Sequence, residues 1–195
     1  MKKYLFALIA LWAGAVWGMT PAELSMQLQK PASIQGQFVQ QRVMRSLAKP
    51  MQTSGEFALL PKKGLFWQMQ KPFALQLRVR SDGIAQWDGQ KWQNAAAQAG
   101  QNAQLKLFMA VLGGDVGELE KQFSASLSGN PDKWQLKLTP KTVISKQIFS
   151  HITIRGGAFV EQVTLAEKQG DQTVMTFSHI RANAALNPAV QRALP

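Results

Sequence analysis

The chain has 195 residues, 46% of them hydrophobic, a formal net charge of +11 and no cysteine. That length suits one domain with a sizeable core. Without cysteine there is no disulfide framework, no thiol nucleophile and no thiolate metal site, so stability must come from burial.

The N-terminus reads MKKYLFALIALWAGAVWGMTPAEL. Lys2 and Lys3 precede an apolar run from Tyr4 to Trp12, and small residues follow at Ala13, Ala15 and Gly18. This is the pattern of a cleaved secretory signal, residues 1–18, with 19–195 left as a single domain. A transmembrane anchor needs about 20 apolar residues, and this run is shorter. No cysteine stands near the cleavage point to accept lipid. Loss of Lys2 and Lys3 lowers the charge from +11 to +9. Export and basicity together point away from nucleic acid and towards an anionic membrane surface or an acidic protein face.

The next segment, TPAELSMQLQK, begins a helix. Thr20 is its N-cap, Pro21 its first residue and Glu23 the third residue of a capping box, with Leu24 and Leu28 at helical spacing. After Pro31 the texture alternates. SIQGQFVQQRVMR sets Ile34, Gly36 and Phe38 against glutamines, and TSGEFALL groups Gly55, Phe57 and Leu59. GLFWQMQ groups Leu65, Trp67 and Met69, and FALQLRVR groups Phe73, Leu75, Leu77 and Val79 against Gln76, Arg78 and Arg80. The strand parity leaves Phe66 as an alternative to Trp67 on the dry side. Asp82-Gly83 and Asp88-Gly89 are hairpin signals. The first half therefore reads as an antiparallel meander with one wet and one dry face.

Asn94 to Gln104 is small in side chain and reads as a connection. Leu105, Phe108, Met109 and Leu112 then form a helical stripe, widened by Leu107 and Val111 and ended by Gly113-Gly114. Strand texture returns in KWQLKLTP, where Trp134, Leu136 and Leu138 alternate with polar residues. FSHITIR, AFVEQVTLAEKQG and DQTVMTFSHIRAN follow, with Gly170-Asp171 as the last turn. The count is about nine to eleven strands in two runs, one helix before them and one between.

Residues suited to catalysis are sparse. His151 and His179 lie in separate strand-like runs, with no metal-ligand spacing between them. Asp82, Asp88 and Asp171 sit at turns, where bonding to the backbone accounts for them. There is no nucleophile elbow, P-loop or dinucleotide fingerprint, so no cofactor is called for and the chain does not read as an enzyme. A sheet with one apolar face must be covered. Composition alone favours two sheets packed as a sandwich. The other solution is one large sheet that curls and is capped by the helices.

In order and spacing, the pieces SIQGQFVQQ, SGEFALLPKKGLFWQMQKPF, RSDGIAQWD, WQLKLTPK and TFSHIRANAALNP resemble the outer-membrane lipoprotein carrier family, the LolA-like proteins. The resemblance runs over almost the whole chain beyond residue 18. It implies a mainly β fold with a few helices, a curled antiparallel half-barrel of about eleven strands closed by a helical lid over an apolar cavity. It also implies a monomeric periplasmic carrier for the acyl chains of a lipoprotein or other lipid, working between an inner-membrane exporter and an outer-membrane acceptor.

On that basis the cavity wall is Phe38, Phe57, Leu59, Leu65, Trp67, Leu75, Leu77, Trp134, Leu136 and Leu138. The lid is Leu24, Leu28, Leu105, Phe108, Met109 and Leu112. The family's carrier has an arginine before its tryptophan-bearing strand that latches the lid. Here Pro61-Lys62-Lys63-Gly64 stands instead, and a lysine offers one mobile ammonium in place of a bidentate fork. Lys62, Lys63 and Arg78 are accordingly read as a docking or latch group, in a basic set that includes Lys71 and Arg80. The alternative reading is a ligand-free periplasmic interaction protein with a packed sandwich core.

Overall fold

The computed structural model describes residues 18–195 except 62 and 96–98, with the side chains of 99–103 also outside the description. Residues 1–17 of the signal segment and Lys62 therefore fall outside the described residues.

Eleven strands form one antiparallel sheet. They are β1 (Ile34–Val43), β2 (Met51–Leu60), β3 (Gly64–Lys71), β4 (Leu75–Arg80), β5 (Gly83–Trp87), β6 (Trp92–Asn94), β7 (Phe123–Asn130), β8 (Lys133–Pro140), β9 (Phe149–Gly156), β10 (Val160–Glu167) and β11 (Gln172–Ala182). Their order is β6-β5-β4-β3-β2-β1-β11-β10-β9-β8-β7. Each half is thus a plain meander, and the β1–β11 pairing joins the halves at the centre. That pairing is why the sandwich favoured by composition does not form: the two strand runs merge edge to edge instead of stacking. The sheet is not closed, since β6 and β7 remain as edges.

Five helices accompany it: α1 (Pro21–Gln29), α2 (Ala99–Leu112), α3 (Val116–Glu120), α4 (Val143–Ile148) and α5 (Pro188–Ala193). The capping box of α1 forms as its sequence predicts: Thr20 Oγ1 accepts from the Glu23 amide (3.2 Å) and the Glu23 carboxylate accepts from the Thr20 amide (2.8 Å). Donation from the Thr20 amide and from the Thr20 hydroxyl holds the Glu23 carboxyl below the usual carboxylate range. The start of α2 corrects the sequence reading. Helix begins at Ala99, inside the stretch taken as a connection, because its small residues and glutamines are compatible with helix.

One face of the sheet, the inner face, shares a continuous core with α1, α2 and α3. Leu24 and Leu28, then Leu105, Phe108, Val111 and Leu112, then Leu119 join inward side chains from both halves of the sheet. The other face carries a smaller core in which Val190, Ala193 and Leu194 cover Ala58, Leu60 and Phe66. Phe66 and Trp67 are consecutive and both buried because β3 is covered on both sides here. This settles the parity: Trp67 is inside and Phe66 lies under α5. Phe73 departs from the predicted strand face. It sits in the β3–β4 turn and is 71% exposed.

Gly64 turns the chain into β3 at φ +141°, where an added Cβ would lie 2.2 Å from the Val79 carbonyl oxygen. No residue but glycine meets both conditions.

Candidate functional site: the helix-covered apolar face

Antiparallel register fixes which side chains meet beneath the helices. Phe57 lies opposite Trp67 and Leu59 opposite Leu65, while Trp67 faces Leu77 and Leu65 faces Val79. In the other half Leu136 pairs with Ile154 and Leu138 with Ile152. The period of two then sends all of these to the same side. Every residue predicted for the wall lies in this one core. Phe38, Phe57, Leu59, Leu65, Trp67, Leu77, Trp134, Leu136 and Leu138 are buried there, and Leu75 packs against it partly exposed. Of the residues predicted for the lid, Leu24, Leu28, Leu105, Phe108 and Leu112 are buried against the same core, with Met109 at its margin.

An aromatic cluster forms the centre. The Trp67 ring stacks on Phe38 with centroids 3.8 Å apart, and on Phe108 of α2 at 5.8 Å. Phe177 meets Phe57 and Phe108 edge-on at 5.3 and 6.3 Å. Sequence reasoning missed Phe177, Met175, Val163 and the isoleucines of β9, all inward and buried. The alternation in VTLAE and TVMTF carried that signal, but the β1–β11 pairing that places these residues beside Phe38 is a long-range event.

The helices are held to the sheet in different ways. Gln27 of α1 donates to the carbonyls of Gly157 (2.7 Å) and Pro131 (3.2 Å) in the turns at the end of the sheet. Ser25 and Gln29 of α1 donate to the Gly114 carbonyl at 2.6 and 3.1 Å, tying α1 to the end of α2. Among the described residues no side-chain hydrogen bond or ion pair links α2 to the sheet. Among the described residues apolar contact holds α2 to the sheet, and the Gln104 amide nitrogen is buried without a partner.

The described side chains pack closely beneath α1 and α3. The void between α1, α3 and the Trp134–Leu136–Ile154 wall measures about 10 Å³, room for a single water at most. Two open depressions, of about 540 and 460 Å³, lie elsewhere, beside the bulge at His179–Ile180, lined by polar and apolar side chains together.

The basic group divides. Lys63 is exposed in the β2–β3 turn and makes no described side-chain bond to α1 or α2. Arg78 lies on the outer face, its guanidinium 5.1 Å from the Trp92 ring centre. Lys71 stands at the opposite end of the sheet from Lys63 and Arg80. His151 and His179 belong to no cluster of metal-ligating residues among the described residues.

A family model described as "Outer membrane lipoprotein carrier protein LolA" matches residues 29–190. The chain belongs to this family. Two proteins named "Outer-membrane lipoprotein carrier protein" are similar over nearly the full length. One, from Dechloromonas aromatica, is 32% identical over 97% of this chain and 89% of its own. The other, from Ralstonia nicotianae, is 25% identical over 96% and 88%. The crystal structure of MucB is similar in fold, with a TM-score of 0.53 at 13% identity over 87% of this chain and 61% of that one. A lipoprotein-carrier chain built on this sheet presents its largest apolar surface where α1 and α2 lie.

Proposed function

We propose that the protein is a periplasmic carrier that shields the acyl chains of a lipoprotein or other lipid on its way from the inner towards the outer membrane. Residues 1–18 would act as the cleaved export signal and 19–195 as one carrier domain. The observation that carries this reading is a continuous apolar face, drawn from both halves of the sheet and covered by a helix that, among the described residues, meets the sheet through apolar contact.

The energetics suit exchange. Each methylene removed from water is worth about 0.8 kcal/mol, so an acyl chain of ordinary length gains on the order of 10 kcal/mol. An acyl chain that takes the apolar wall displaces α2 from it. Exposing Leu105, Phe108, Val111 and Leu112 costs about 1.5–3 kcal/mol each, together about 6–12 kcal/mol. The two terms are of the same size. Cargo and α2 therefore compete for one surface near balance, and the apolar wall is out of water in both states. A fully exposed groove would lack this second property. The cargo enters as α2 lifts, while α1 stays tethered through Gln27.

Native mass spectrometry of the protein purified from a bacterial periplasm tests the reading. A co-purifying lipid bearing acyl chains supports it. A lipid-free protein that also fails to take up a fluorescent acyl probe contradicts it and favours a ligand-free interaction protein.

A further inference from the structure

Helix α4 is amphipathic in reverse. Ser145 is its buried residue, 2% exposed, with Oγ donating to the Gln122 carbonyl at 3.0 Å. Val143, Ile144 and Ile148 face outward at 74%, 69% and 43% exposure. An apolar side chain exposed singly needs no explanation, but a helix that turns its branched aliphatics to water and its serine inward does.

Strand register shows what surrounds this helix. The α4 segment joins the end of β8 to the start of β9, and the Lys168 amide in the β10–β11 turn bonds to the Ile148 carbonyl at 2.9 Å. Gln172 at the start of β11 lies opposite Val43 at the end of β1, and Met51 lies opposite Arg42. Ser54 of β2 lies opposite Lys71 at the end of β3. The β8–β9, β10–β11, β1–β2 and β3–β4 connections therefore share one rim of the sheet. Leu47 and Met51 are exposed in the β1–β2 connection and Phe73 in the β3–β4 turn. Of the large exposed apolar side chains among the described residues, all but Met26 sit on this rim.

Charge identifies the partner. Of the acids at this rim, Glu167 and Asp171 are engaged by Arg42, at 3.3 and 3.8 Å, Glu118 by Lys121 and Asp88 by its own turn amides, which leaves Glu120 exposed beside five lysines. Lys49, Lys71, Lys141, Lys146 and Lys168 are exposed there without an ion pair among the described residues. The rim runs from β9 to β3, five strand spacings or about 25 Å along the sheet. Apolar side chains interleaved with free lysines over such a span match the interface of an anionic bilayer, where aliphatics enter the acyl boundary and ammonium groups meet phosphate. We propose that this rim docks the protein reversibly on anionic phospholipid surfaces, with α4 as its principal contact. The inference stands apart from the carrier reading, since it uses none of the inner-face residues.

Vesicle co-sedimentation tests it, with phosphatidylcholine vesicles with and without phosphatidylglycerol. The wild-type protein sediments with the anionic vesicles, is released by added salt and does not sediment with the neutral ones. Replacing Ile144→Ser with Ile148→Ser lowers the partition coefficient about tenfold, and Lys141→Gln with Lys146→Gln lowers it and weakens its salt dependence. These side chains are exposed, so melting temperature and acyl-probe uptake stay unchanged, and Met26→Ser on α1 has no effect. Three outcomes overturn the proposal: no wild-type binding to anionic vesicles, undiminished binding by I144S/I148S, or a solution dimer dissolved by that double substitution, which would make the patch a self-contact.

Discussion

Phe108 is the residue through which α2 engages the sheet. Its ring stacks on Trp67 and meets Phe177 edge-on, and it is 1% exposed. Truncating a buried phenylalanine costs about 3–5 kcal/mol. Here that loss falls on the docking of α2 more than on the sheet, whose ladders are independent of it. Phe108→Gln with Leu112→Gln is expected to abolish retention of an acyl probe while amide exchange protection in β1–β4 and β8–β11 persists. Global unfolding would instead assign the pair to the essential core. Gly114 acts at the junction of α1 and α2. It adopts φ +65°, and an added Cβ would lie 2.6 Å from Leu28 Cβ. Gly114→Ala should lower unfolding free energy by about 1–3 kcal/mol, measured by denaturant titration, and should loosen α1 from α2.

Glu23 makes the α1 cap pH-dependent. Its carboxyl is held low by bonds from the Thr20 amide and hydroxyl. A depressed acid contributes stability that is present above its unfolded pKa and lost as pH falls through the folded value. Protection factors of the α1 amides, corrected for the intrinsic pH dependence of exchange, should therefore fall on acidification before those of the sheet, and Glu23→Gln should flatten that dependence.

At the level of elements, the helices divide the labour. Helix α1 is fixed by side-chain hydrogen bonds to sheet turns, α2 by apolar contact, and α5 serves the outer face only. Leu194→Ala, under α5 at 2% exposure, should cost about 2–5 kcal/mol yet leave acyl-probe affinity of the folded protein unchanged. That outcome, read by calorimetry and probe titration, separates stability from cargo binding. Most strands and α1 were legible in the chain, because alternation and a capping box are local signals. Helix α5 was missed although Asn187-Pro188 announces it: Asn187 Oδ1 accepts from the Val190 amide at 2.9 Å and Pro188 opens the helix. Helix α4 was missed because six residues give no periodicity to read, and its exposed isoleucines resemble a strand.

For the whole molecule, the apolar inner face of the sheet was legible residue by residue. The closure of that surface was not. Alternation in β3 and β8 says which side chains share a face, but the meeting of Phe38 with Phe177 depends on β1 finding β11 across some 140 residues of chain. In the carriage proposed above, acyl chain and α2 exchange on that surface.

Photo-crosslinking with a diazirine-bearing fatty acid, mapped by peptide mass spectrometry, tests that exchange most directly. The account predicts labels on inward residues of β2, β3 and β8 and on α2, competed away by unlabelled long-chain lipid. Labels confined to the depressions beside His179, or insensitive to competition, would contradict it.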